Sequence, residues 1–361
     1  MTRFLALFVI LAIATPVEAQ LGRFKGALEK GLKTYDDLNF TDQEEQQLGA
    51  EISAKLREKY GVVQDRAVHK YVTLVGTVLS SASTRPNLQW TFIVLDTDGV
   101  NAFAAPGGFI HITRGALAMI QSEAELAGVL GHEAGHVTLK HTVNAIKKAK
   151  ATEMGTQAAS RSEFLQQVAN KAYEVLLENN WDRTDENAAD KVGLGLANKA
   201  GYAPAGLTAF LTKLAERNKG LTERSGIFAS HPAMTARLGD ISKMIAADKL
   251  TSTAAVAARY SQSITFKPVP VSQVAQVAAP IGASAPAATP QTVAPKSGTG
   301  AFGLGGMNPL GREKSSGSTI ASAGSRGVNP DRDARGGPNK GLVSVTVTAA
   351  EIAEFRKGIT G

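Results

Sequence analysis

Ser122-Glu-Ala-Glu-Leu-Ala-Gly-Val-Leu-Gly-His132-Glu133-Ala-Gly-His136-Val137 is an apolar run, broken by glycines, that opens with the capping-box pattern Ser122-x-x-Glu125. Leu126, Val129, Leu130 and Val137 recur at helical spacing, which predicts one helix continuing toward Lys147. His132 and His136 are four residues apart, so both imidazoles stand on one helical face and can reach a single metal ion. Glu133 sits beside them at the offset that contacts a metal-bound water. Gly128, Gly131 and Gly135 each cost a helix up to ~1 kcal/mol relative to Ala. Their spacing predicts the close approach of another backbone.

The chain has no Cys, which excludes disulfide frameworks, thiol nucleophiles and cysteine metal sites. A metal must be held by His and carboxylate. Catalytic zinc takes three protein ligands and keeps a fourth position for water. A third histidine in an HExxHxxGxxH pattern would need Gly at 139 and His at 142, where the chain has Leu139 and Thr142. A carboxylate from a second helix remains. Asp185-Glu186-Asn-Ala-Ala-Asp190 supplies two candidates on one face, so one can bind zinc while the other accepts a ring N–H from a ligand histidine. A solvated acidic first turn, favoured by the helix dipole, is the plainer reading of such a cluster alone; the upstream HExxH favours the ligand.

Helices are expected over 42–60, after the capping box Thr41-x-x-Glu44, and over 66–80, with Val68, Val72, Val75 and Leu79 in register. Trp90 to Leu95 reads as a strand, and Phe109 to Ile112 as its partner beyond the Pro106-Gly-Gly108 break. A short segment, Asn101 to Ala104, lies between them. Further helices follow Thr184, Pro204 and Pro232. The expected fold class is α+β and mostly helical, with a small antiparallel sheet beside the metal-site helix.

His132 to His136, Glu186 to Asp190, Asn101 to Leu117, and Ser230-His231-Pro232 with Arg237 together resemble the zinc metallopeptidase family that includes HtpX, BepA and the CAAX prenyl endoprotease. The resemblance runs from about Asp42 to Lys249. It implies a gluzincin-like fold with one Zn2+ held by His132, His136 and Glu186, Glu133 as general base, and Asp190 left to support a ligand histidine. Asn101 and Ala102 resemble the edge strand on which such enzymes lay out an extended substrate. His231 resembles the family's later histidine, a candidate oxyanion donor, and Arg237 a residue that orients a carboxylate. His141 is five residues past His136, so on a continuous helix it points away from the metal. With His69 and His111 it is expected to be structural.

Arg3, the apolar run from Phe4 to Ala14, Pro16 and Val17-Glu-Ala19 read as a signal peptide over 1–19, too short to span a membrane as a helix. A metallopeptidase domain over 20–254 follows, then a Pro/Ala/Gly/Ser-rich linker over 255–341 and a short strand and helix over 342–361. The part beyond Ala254 carries no proposed ligand and is expected to be dispensable for catalysis. The net charge of +7 comes mainly from that part, which has 11 Lys or Arg against 5 Asp or Glu, so the domain has no electrostatic footprint for nucleic acid. The expected function is a periplasmic zinc endopeptidase acting on extended or misfolded envelope proteins, with the tail free to reach an outer-membrane assembly partner. Two rivals are a non-cleaving, metal-bearing chaperone or adaptor and a zinc amidase acting on a cell-wall bond.

Overall fold

The computed structural model of the protein describes residues 39–153, 160–178, 181–219, 231, 234–274 and 339–360. The expected signal peptide and most of the expected linker lie outside the described residues. Helix α1 (Asp42–Tyr60) starts on the predicted capping box, with Thr41 Oγ1 accepting from Glu44 N–H and the Glu44 carboxylate returning to Thr41 N–H. Helix α2 (Arg66–Ser80) follows, capped by Asp65. Strands β1 (Thr91–Leu95), β2 (Ala102–Ala105) and β3 (Phe109–Thr113) then form one sheet, after which come α3 (Arg114–Met119) and α4 (Glu123–Thr138).

The sheet is mixed, in the order β1-β3-β2, and this corrects the antiparallel expectation: β2 pairs antiparallel with β3, but β1 pairs parallel with it. The turn Pro106–Gly108, with Gly107 at φ 72°, folds β3 directly back on β2. The connection from β1 must therefore cross to the far side of β3. Buried Arg114 holds that crossing in place through ion pairs to Asp96 and Asp98. Strand residues alternate between two apolar clusters: Phe92, Val94, Ile110 and Ile112 enter one, Ile93, Leu95, Phe103 and Phe109 the other. Both faces of the sheet are covered, which explains why its strands read as unbroken apolar runs.

Helix α4 lies at the centre, with every residue from Glu123 to Val137 buried. It ends at Thr138. Lys140 takes a left-handed conformation (φ 57°), its ammonium paired with buried Glu45, and a new helix α5 (His141–Glu153) begins at once. The predicted single helix to Lys147 is therefore two helices. The chain continues through α6 (Arg161–Glu178), α7 (Arg183–Lys199), α8 (Ala205–Arg217), α9 (Met234–Ala247) and α10 (Ala257–Ser263) to α11 (Ala349–Thr360). The glycines of α4 mark where α7 and α8 press in. A Cβ on Gly131 would lie 2.9 Å from the Gly193 carbonyl oxygen, one on Gly135 2.7 Å from that of Ala189, and one on Gly128 2.7 Å from Leu207 N.

Residues beyond Ala254 are more than a detachable tail. Tyr260, Ile264, Phe355 and Ile359 belong to the apolar cluster around α4. Arg259 pairs with Glu123, the fully buried first residue of α4, which also accepts from Tyr71 Oη at 2.8 Å and Tyr202 Oη at 2.9 Å. The Phe355 ring packs edge-on to Tyr71 and lies 4.0 Å from the Arg259 guanidinium. Composition concealed this because Tyr260 and Ile264 stand within a low-complexity stretch, and Phe355 and Ile359 in a short helix far along the chain. The expected strand at 342–347 does not form: these residues belong to no sheet. Phe355→Ala should lower folding stability by about 3 kcal/mol, the usual cost of truncating a buried Phe. Chemical denaturation measures it, and an unchanged midpoint would return α11 to the status of a dispensable appendage.

Candidate metal centre

Side chains from α4, α7, α9 and the segment at His231 meet at one buried point. His132, Glu133, His136, Glu186, Asp190, His231 and Arg237 are each at most 4% exposed. One ligand atom from each of His132, His136, Glu186 and His231 lies within 4.8 Å of all the others. Nε2 of His136 is 3.1 Å from Nε2 of His132 and 3.3 Å from Glu186 Oε1, while His231 Nδ1 is 2.8 Å from that same oxygen.

The outer nitrogens define the tautomers. His132 Nδ1 lies 2.8 Å from Asp190 Oδ1, so it carries the proton and leaves a lone pair on Nε2. Asp190 is gripped in turn by Arg237, whose Nε and Nη2 donate to its two oxygens at 2.9 and 2.7 Å; Arg237 Nη1 also pairs with Glu186 Oε2 at 2.6 Å. That contact lacks hydrogen-bond geometry, and Glu186 Oε2 has no hydrogen-bond partner. Lone pairs on two imidazoles and a carboxylate facing one another repel unless a cation lies between them. Nitrogen and oxygen donors without sulfur suit a zinc-type ion, so the residues present fit the metal.

The electrostatics follow from burial and from these neighbours. Burial alone would raise the pKa of Glu186, but His231 and His132 outweigh it and hold the carboxylate ionised. Burial likewise opposes ionisation of Asp190, and the hydrogen bond from His132 and the charge of Arg237 reverse the balance. Glu133 goes the other way: burial pushes its pKa up despite the nearby His231 and His132. A carboxylate so raised is a stronger base than one in water. Its Oε1 lies 3.7 Å from His231 Nε2.

The structure thus brings His132, Glu133, His136, Glu186, Asp190, His231 and Arg237 together, and Asn101 and Ala102 stand at the start of β2. Asn101 Oδ1 accepts from Ala102 N–H at 2.9 Å, and Thr142 Oγ1 donates to the Ala104 carbonyl at 3.0 Å. His69 and His111 lie elsewhere, against the Val63 carbonyl and Ser53 Oγ. His141 departs from expectation. The break at Leu139–Lys140 turns the chain back, placing its Nδ1 2.9 Å from His136 Nδ1. Trp181, also unforeseen, covers both rings, its centroid 4.9 Å from that of His136. No spacing rule reaches these two, because neither shares a helix with His136.

Among the described residues, no helix is long and apolar enough to cross a membrane. The beta-barrel assembly-enhancing protease of Escherichia coli (strain K12) is 24% identical over 208 residues, 55% of this chain and 43% of that protein. Metalloprotease LoiP from the same strain is 26% identical over 250 residues, 67% of this chain and 97% of that protein. Metalloprotease YcaL is 26% identical over 229 residues, 62% and 88% respectively. The chain spans less than half the length of its beta-barrel assembly-enhancing relatives. Residues 66–245, from the first residue of α2 into α9, match the family described as Peptidase family M48, so this part of the chain is a domain of that family.

Proposed function

We propose that the protein is a zinc-dependent endopeptidase that cuts extended or misfolded polypeptides in the cell envelope. The observation that carries this reading is the meeting of His132 Nε2, His136 Nε2 and the Glu186 carboxylate at one point, with Glu133 beside them. Zinc held there would polarise a carbonyl and lower the pKa of its water toward about 7. Glu133 takes the proton of the attacking water and passes it to the leaving amine. Asp190 and Arg237 keep the ligands oriented. His231 brings the protein groups to four, which would fill a tetrahedral shell. With the metal bound, a place for water would open only if His231 withdrew, and from there it would present an N–H to the charge that develops on the carbonyl oxygen.

The outward edge of β2 suits an extended substrate, because backbone groups alternate in direction along a strand. A peptide laid there would replace the bonds that the Asn101 and Thr142 side chains now make to Ala102 and Ala104. Export to the periplasm is supported by the signal-like first 19 residues. The name of the beta-barrel assembly-enhancing relatives supports a place near β-barrel assembly.

The test is cleavage of an unfolded, fluorescently labelled polypeptide by the purified protein. Cleavage should stop when a chelator strips the metal and return when zinc is restored. An intact polypeptide bound by zinc-loaded protein would instead identify a chaperone or adaptor. Cleavage confined to a cell-wall amide would identify the amidase.

A further inference from the structure

We propose that His141 is a positioning residue for His136: it accepts the His136 Nδ1–H and is itself oriented by Asp185. This rests on the metallopeptidase reading and adds a residue to the support of its metal. The two metal-facing histidines are held differently. His132 has a carboxylate behind it, Asp190 at 2.8 Å, whereas His136 has the Nδ1 of another imidazole at 2.9 Å. Because Nε2 of His136 faces His132 and Glu186, its lone pair is directed at the metal point and its proton sits on Nδ1. That proton needs an acceptor, so His141 Nδ1 carries a lone pair and its own proton is on Nε2.

His141 Nε2 in turn lies 3.6 Å from Asp185 Oδ1. The His136–His141 contact sets the order of protons, and the Asp185 carboxylate, beyond hydrogen-bond reach, favours the proton on His141 Nε2 through its charge. Asp185 is the immediate neighbour of Glu186 in the first turn of α7. One helical turn thus carries both a candidate ligand and a carboxylate facing the group behind another ligand. His141 is 5% exposed and Trp181 lies over its ring, centroids 6.1 Å apart, so water is a poor substitute for it. Glu45 contributes at a distance by pairing with Lys140 at the turn that returns the chain to His136.

The experiment compares zinc affinity, by chelator competition, in the full-length wild type, His141→Phe and His141→Gln. Ring 15N–1H correlations of the zinc-loaded proteins accompany it. Phe keeps the shape and removes the acceptor; Gln offers a carbonyl oxygen in its place. His141→Phe should bind zinc about 10- to 100-fold more weakly, as expected when support behind a ligand histidine is lost. It should also lose the slowly exchanging His136 Nδ1–H signal. His141→Gln should recover most of the affinity and the signal. Equal zinc affinity in wild type and His141→Phe would overturn the inference and leave the peptidase reading standing. So would equal losses in both variants, which would mark a packing role. A wild type that bound no zinc would overturn the peptidase reading itself and this inference with it.

Discussion

Glu133→Gln should fold, hold one zinc per chain, capture unfolded peptide and cut it at least about 100-fold more slowly than wild type. The substitution preserves the size and hydrogen-bonding capacity of a side chain that is 1% exposed, and removes only its ability to take up a proton. Glu133 is not among the four groups whose atoms gather at the metal point, so metal content should be unaffected. Burial raises its pKa and so strengthens this carboxylate as a base; the substitution tests whether that base is required. Zinc analysis, peptide capture and turnover should therefore separate, turning the enzyme into a trap for its natural substrates. Cleavage at the wild-type rate would remove Glu133 from the mechanism.

Glu186→Ala should lose most of the bound zinc, and Asp190→Ala should weaken zinc binding by about 10- to 100-fold. Arg237 complicates both, in different degrees. It is 1% exposed, donates two hydrogen bonds to Asp190 and makes one ion pair with Glu186. Removing Asp190 leaves a buried guanidinium with a single carboxylate, a loss expected to cost about 3–5 kcal/mol of folding stability. Asp190→Ala should therefore unfold earlier even as the metal-free protein, whereas Glu186→Ala leaves the two-point grip on Asp190 in place. Zinc titration alongside denaturation of the metal-free variants distinguishes the two effects. Normal zinc binding by Glu186→Ala would show that the third ligand is elsewhere.

The histidines and carboxylates that gather at one buried point were legible in the sequence because the information is local. His132 and His136 share a helical face by their spacing alone, and Glu186 and Asp190 do so by theirs. Helices α1 and α2 were equally legible, bounded by side-chain caps and apolar periodicity. The three glycines of α4 announced a close neighbour without saying which, since a missing Cβ records that something approaches and not what it is.

Tertiary structure alone decided the remainder. Strand direction was decided by the crossing that Arg114 anchors to Asp96 and Asp98, a contact that no strand periodicity encodes. Neither Gly nor Pro stands at Leu139–Lys140, where α4 gives way to α5, and Lys140 adopts a left-handed turn beside buried Glu45, nearly a hundred residues upstream. That turn moved His141 from the far side of a continuous helix to the ring of His136. In the same way, Tyr260 looks like a stray in a low-complexity stretch, and Phe355 like part of an isolated short helix, until the core of α4 is present to receive them. Sequence by itself determined which groups could serve a metal, because helical geometry acts over four residues. Which further groups stand behind them depended on packing between distant segments, and that exists only in the folded chain.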